Sequence, residues 1–190
     1  MGRFACPDGE TVIGHEKVIH FWFSELNAAQ WWKKDAALDR QIAERFGKLH
    51  SAAARCELFS WRDKAEGRLA EILVLDQFSR NIYRNRPQAF QSDSLALALA
   101  QEAVLRGIDD ALSASQRSFL YMPYMHSESA LIHKEAVRVF AKGSEQAYDF
   151  EVRHKAIIDR FGRYPHRNVI LGRTSTPEEV AFLKEPGSSF

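Results

Sequence analysis

Leu38, Ile42, Phe46, Leu49 and Ala53 recur at intervals of four, four, three and four residues. That rhythm lays one apolar stripe along a helix and is incompatible with the two-residue period of a strand. It recurs through the chain. Val12, Ile19, Phe23 and Leu26 keep helical spacing over 10–26, and Asp35 stands where it can cap the helix that follows. Asp63 followed by Glu66 reads as a capping box for a helix through Leu69, Leu73 and Phe78. Ser92 or Asp93 opens another that stops at Gly107, and Ser113 opens one interrupted by Pro123. Helices over 128–142 and 144–161 end at Gly143 and Gly162, and Thr176-Pro177-Glu178-Glu179 starts a last one.

Period-two alternation of β-branched residues is convincing nowhere. The expected fold is all-α, a single helical domain over 1–190 with about seven or eight helices in antiparallel hairpins. No repeat of the tetratricopeptide type stands out at its period of about 34 residues. At 190 residues with 45% hydrophobic content, the chain is long enough to bury its own core. Trp22, Trp31, Trp32 and Trp61 are expected there or in hairpin seams.

The 26 basic and 25 acidic residues nearly cancel, which argues against a nucleic-acid-binding face. No apolar run approaches the ~20 residues of a membrane span. The opening residues MGRFACPDGE lack the apolar core of a secretion signal, and Cys6 occupies the position where a myristoylation motif carries Ser or Thr. Cys6 and Cys56 form no metal or disulfide pattern. The expectation is a cytoplasmic protein with free thiols, no cofactor, no metal and no membrane or nucleic-acid partner.

Three helices place titratable groups where apolar ones belong. Ile72 to Leu75 are apolar all round, and Asp76 follows at once, with Arg80 four residues on and able to pair with it. Asn81 and Arg84 add donors to the same turn. Glu128 falls in line with Leu131, Ile132, Ala136 and Val139 and so should point inward, with His126 just before it. His154 shares a stripe with Phe150, Ile157 and Phe161. A carboxylate from Asp76 or Glu128 across from it would make His154 a general base; without one it is a satisfied core histidine. Tyr121, Tyr124 and Tyr164 flank these segments and could offer hydroxyls to a pocket.

The stretch IIDRFGRYPHRNVILGR concentrates Arg160, Arg163, Arg167, Arg173 and His166 around Gly162 and Pro165, with one acid, Asp159. Guanidinium forks recognise carboxylate and phosphate bidentately, and a fixed turn lets several converge. Arg160 and Arg163 also suit the last turn of a helix through its macrodipole alone.

DQFSRNIYR, FLYMPYMHSE and RFGRYPHRNVILGRTSTPEEVAFL, with FWF and WWKKDAALDRQIAERF upstream, resemble the bacterial "domain of unknown function 924" family over most of the chain. The resemblance implies an all-α, tetratricopeptide-like fold without the repeat consensus, and it supplies no activity. Its blocks carry Asp76, Gln77, Arg80, Asn81 and Arg84, then Pro123, His126 and Glu128, then His154, Arg160, Arg163, His166, Arg167 and Asn168. Tyr164 stands where the pattern leads one to expect Phe.

Two functions follow as expectations. In one, Arg80, Asn81, Arg160, Arg163, His166, Arg167 and Asn168 hold a small anionic ligand beside Asp76, His126, Glu128 and His154, which orient it or act as acid and base, with hydrolysis the most natural reaction. In the other, an open Arg-rich groove takes an acidic peptide or a C-terminus. A third outcome is a network that satisfies itself.

Overall fold

The computed structural model describes residues 13–189. Among them all regular structure is helical, and the longer helices come close to the expected number. Helix α1 (His15–His20) passes into a π-helical turn, Phe21–Glu25, and α2 (Ala28–Trp32) follows, opened by a reciprocal Asn27–Gln30 cap. Next come α3 (Ala36–Ala54), a 3-10 turn at Phe59–Asp63, and α4 (Ala65–Leu73). A π-helical turn, Val74–Phe78, joins α4 to α5 (Ser79–Ile82). Then follow α6 (Asp93–Leu105), α7 (Ala114–Met125), α8 (Ala130–Phe140), α9 (Glu145–Phe161) and α10 (Pro177–Phe182).

The segment from Leu69 to Phe78 is the axis of the molecule, every residue buried, as its all-round apolarity requires. Helices α1, α3, α6 and α7 pack around it. Phe21, Trp22, Phe46 and Phe78 meet there at ring separations of 4.9 to 6.1 Å. The α3 stripe is buried along its whole length, and Asp35 caps that helix by accepting from the amides of Ala37 and Leu38. A second, smaller cluster joins Ile157, Ile158, Tyr164 and Phe182.

Several local expectations change. Residues 10–12 lie outside the described range, and the first helix stops at Leu26 with a π turn. Asp63 does not cap α4: it ends the preceding 3-10 turn, and the extended Lys64 takes the cap position without a side-chain bond. Pro123 does not interrupt α7, which carries it within the helix to Met125. The helix after Pro123 starts at Ala130, capped by Ser129, so Glu128 precedes it and Leu131, 73% exposed, is off the buried stripe. Trp32 is 64% exposed and stacks on Phe119 and Phe150 instead of entering the core.

Gly67 marks a close approach between α4 and the preceding turn, because a Cβ there would collide with the carbonyl of Trp61. Backbone cannot swing aside as a side chain can, so Gly67→Ala should destabilise the fold by about 1–3 kcal/mol despite alanine's better helix propensity. A denaturation midpoint equal to or above the wild type's would refute that.

Candidate functional site

The π turn at Val74–Phe78 advances the chain by a wider turn than an α-helix, and such turns often mark functional positions. It carries Asp76, almost completely buried. Asp76 does not pair with Arg80. Its Oδ1 accepts from His126 Nδ1 at 2.7 Å, and its Oδ2 accepts from Gln77 Nε2 at 2.6 Å. Burial alone would raise the Asp76 carboxyl; the charge and hydrogen bond of His126, with Arg80 nearby, outweigh it and hold the group below the ordinary carboxylate range. The carboxylate therefore fixes the His126 tautomer, with its proton on Nδ1. Nε2 has no partner among the described residues, and His126 lines a cleft.

That cleft, of about 510 Å³, lies between the start of α6, the α7–α8 connection and the segment after Pro165. Phe90, Leu97, Pro123 and Leu171 give it apolar walls; Asp93, His126, Glu128 and Arg167 are its titratable groups. Arg167 is 6% exposed and belongs to the 3-10 turn Pro165–Arg167. Its guanidinium lies 4.7 Å from the ring of Phe90 and 4.6 Å from that of Tyr164. Its sole ion-pair contact among the described residues is Asp93 Oδ2 at 3.5 Å, too long for a good hydrogen bond, and its Nε is buried there without an acceptor. Burial, and then the like charge of Arg80, pull its pKa down. A buried guanidinium held by rings and left without hydrogen bonds costs free energy that an acceptor in the cleft would recover.

Arg80 sits behind this wall. It donates to Asp93 Oδ2 at 2.8 Å and to the Ala89 carbonyl, and lies against the Phe90 ring. Glu128 is held by the backbone amide of Tyr164 at 2.7 Å and by both terminal nitrogens of Arg173 at 2.6 and 2.9 Å. Burial pushes its pKa up, but these donors prevail and keep it a carboxylate.

The other arginines of the basic stretch do not converge. Arg160 pairs with Glu178 at the surface. Arg163 grips Glu179 with two bonds, 2.6 and 2.8 Å, and the Glu179 carboxyl is pulled down to about 2, first by that guanidinium. Asn168 donates to Ser175 and Glu179 and accepts from Arg173, which fastens the turn. Asn81 and Arg84 both donate to Asp39 and tie α5 to α3, away from the cleft.

His154 faces neither Asp76 nor Glu128. Its Nδ1–H donates to the Phe150 carbonyl at 2.7 Å, and burial drives its pKa down to about 3, with His126, His133 and His166 adding to the effect. His166 is held at about 4, chiefly by burial and then by Arg167, and leans on the Tyr164 ring. Tyr121 and Tyr164 are likewise committed inward, to Asp109 and to the Met125 carbonyl. The hydroxyl at position 164 thus has a use: it ties the last third of the chain to the end of α7.

The sequence reading missed one pair. His133 and Glu151, both fully buried, are joined by a hydrogen bond between Nδ1 and Oε1 at 2.7 Å, and His133 Nε2 donates to the Ser127 carbonyl at 2.9 Å. The signal was present: His133 is in phase with Ala136 and Phe140, and Glu151 with His154 and Ile158. Ser127 follows His126, so this pair anchors the backbone that presents the imidazole to the cleft.

Among the described residues no cluster of His, Cys, Asp or Glu could hold a metal ion, and no helix is long and apolar enough to cross a membrane. A family profile described as a bacterial protein of unknown function (DUF924) matches residues 18–187, and the chain belongs to that family. No curated protein matches it. The solved structure of a protein of unknown function from Agrobacterium tumefaciens is 39% identical, with a TM-score of 0.86 over 90% of this chain and 96% of that one. That likeness extends the all-helical architecture to a relative and assigns no activity.

Proposed function

We propose that this family member binds a small carboxylate- or phosphate-bearing ligand in the cleft, with Arg167 as the anion clamp. The carrying observation is the buried Arg167 guanidinium, stacked between Phe90 and Tyr164 without a hydrogen bond among the described residues. Asp76 and His126 supply a proton acceptor on the same cleft, oriented as a general base is. The reaction class that suits this equipment is hydrolysis. His126 Nε2 takes a proton from water as the water oxygen bonds to an acyl or phosphoryl centre of the ligand. The bond from that centre to its leaving group breaks, and the leaving group takes the proton back from His126, while Arg167 holds the ligand's anionic part. Glu128, bound bidentately by Arg173, shapes the wall.

A tetratricopeptide-like stack of hairpins with a groove for acidic peptides is the alternative. It has less to recommend it, because Arg160, Arg163 and Arg173 already hold Glu178, Glu179 and Glu128.

Inorganic phosphate or a small dicarboxylate at about a hundred times its dissociation constant should raise the melting temperature by roughly 5–10 °C. Arg167→Met should abolish that response while costing little stability of its own, since it removes a buried, poorly satisfied charge. Arg160→Ala should keep the response. Failure of every small anion to shift the wild-type melting temperature at millimolar concentration would overturn the reading, and a shift from acidic peptides alone would favour the groove.

A further inference from the structure

We propose that the ligand is amphoteric, an α-amino acid with an apolar side chain, its carboxylate on Arg167 and its ammonium directed to His126 Nε2. This rests on the cleft being an anion site and replaces hydrolysis by binding, because a free amino acid offers no bond to cleave and its ammonium occupies the Nε2 that would take a proton from water. Three groups on the cleft have unused hydrogen-bonding capacity among the described residues, and they are of opposite kinds: Arg167, whose Nε is buried without an acceptor and whose one ion-pair contact, with Asp93, is long; Asp93 Oδ1, buried without a donor; and His126 Nε2. Arg167 can only donate hydrogen bonds. His126 Nδ1 donates to Asp76 Oδ1, so Nε2 is the ring nitrogen left for the cleft, and with the single ring proton on Nδ1 it accepts a hydrogen bond there. A ligand that satisfies all three must carry an anionic acceptor and a donor.

The charges around the cleft point the same way. Asp76, Asp93 and Glu128 face Arg80, Arg167 and Arg173, three carboxylates against three guanidiniums. A bare anion entering that balanced set brings an uncompensated buried charge and meets Asp93 and Glu128 on the lining. A zwitterion keeps the balance and turns the acidic side of the cleft into an attraction for its ammonium. Phe90, Leu97, Pro123 and Leu171 leave an apolar surface for the side chain.

Four probes separate the possibilities by calorimetry at about pH 8, where histidine is ordinarily neutral. They are L-leucine, isocaproate (leucine without its amine), isoamylamine (leucine without its carboxylate) and inorganic phosphate. Leucine should bind at least about tenfold more tightly than isocaproate, and isoamylamine more weakly still. His126→Ala should erase leucine's advantage and leave isocaproate's affinity nearly unchanged, a readout independent of overall stability. Isocaproate binding as tightly as leucine, or phosphate binding while leucine does not, would refute the amphoteric ligand and leave the anion site standing. Failure of all four would refute both.

Discussion

Acidification from about pH 6.5 to about pH 4 is expected to remove on the order of 3 kcal/mol of stability through His154 alone. This histidine has a folded pKa of about 3 against an ordinary 6.5, because it is buried among His126, His133 and His166 with its Nδ1 proton given to the Phe150 carbonyl. The sign follows from proton counts. Between the two values the unfolded chain binds a proton that the folded chain refuses, so stability is intact above 6.5 and falls as pH falls towards 3. His166, at about 4, adds to the loss over the upper part of the same window. Asp76 and Glu128 act lower down: their depressed carboxyls contribute stability that starts to fade as pH falls into the ordinary carboxylate range and is lost on the way down through their folded values. Between about pH 6.5 and pH 5 the loss comes from the histidines, opposed by Glu151, whose carboxyl is raised by burial and so gains stability as pH falls. Urea midpoints measured across that interval should slope steeply for the wild type and less for His154→Gln, which keeps a donor for Phe150 and does not titrate. A flat wild-type profile would mean that the histidines are not buried neutral.

His133→Ala should cost about 3–5 kcal/mol, the largest effect expected of a single polar substitution in the described chain. It strands Glu151 in the interior, where burial already raises its carboxyl pKa and where Oε2 has no partner even in the native state. It also cuts the tether to the Ser127 carbonyl. Replacing both residues with apolar ones of similar volume, His133→Leu with Glu151→Met, should recover much of the loss, because two matched apolar groups need no hydrogen bonds. Denaturation of both variants distinguishes an ion-pair penalty from a packing penalty: equal losses would assign the cost to packing. Anion binding measured on the double variant then reports how far this pair sets the position of His126.

Much of the helical layout was legible from spacing and capping chemistry. The α3 stripe, the Asp35 and Thr176 caps and the left-handed stops at Gly107 and Gly162 all stand where one-dimensional rules put them. Those rules work because a helix is a local object, decided by neighbours three and four residues away. Where the backbone leaves the α period they fail. The π turn around Asp76 separates it from Arg80 as a partner, and the extended Lys64 takes the cap position from Asp63.

The candidate site was legible only as a set of residue types. The sequence marked Asp76, His126, Glu128 and Arg167 as polar groups in unusual surroundings, and by itself it determined that the chain is helical, that Ile72–Leu75 lies in a buried helix and that basic residues gather between Arg160 and Arg173. Tertiary structure decided which charge meets which. Arg163 found Glu179 and Arg173 found Glu128, leaving Arg167 between two rings with only a long contact to Asp93 among the described residues; Asp76 found His126, fifty residues away, and not its neighbour in the helix. Ionic partners are chosen by three-dimensional proximity and by the desolvation each group suffers, and neither quantity is encoded in spacing along the chain.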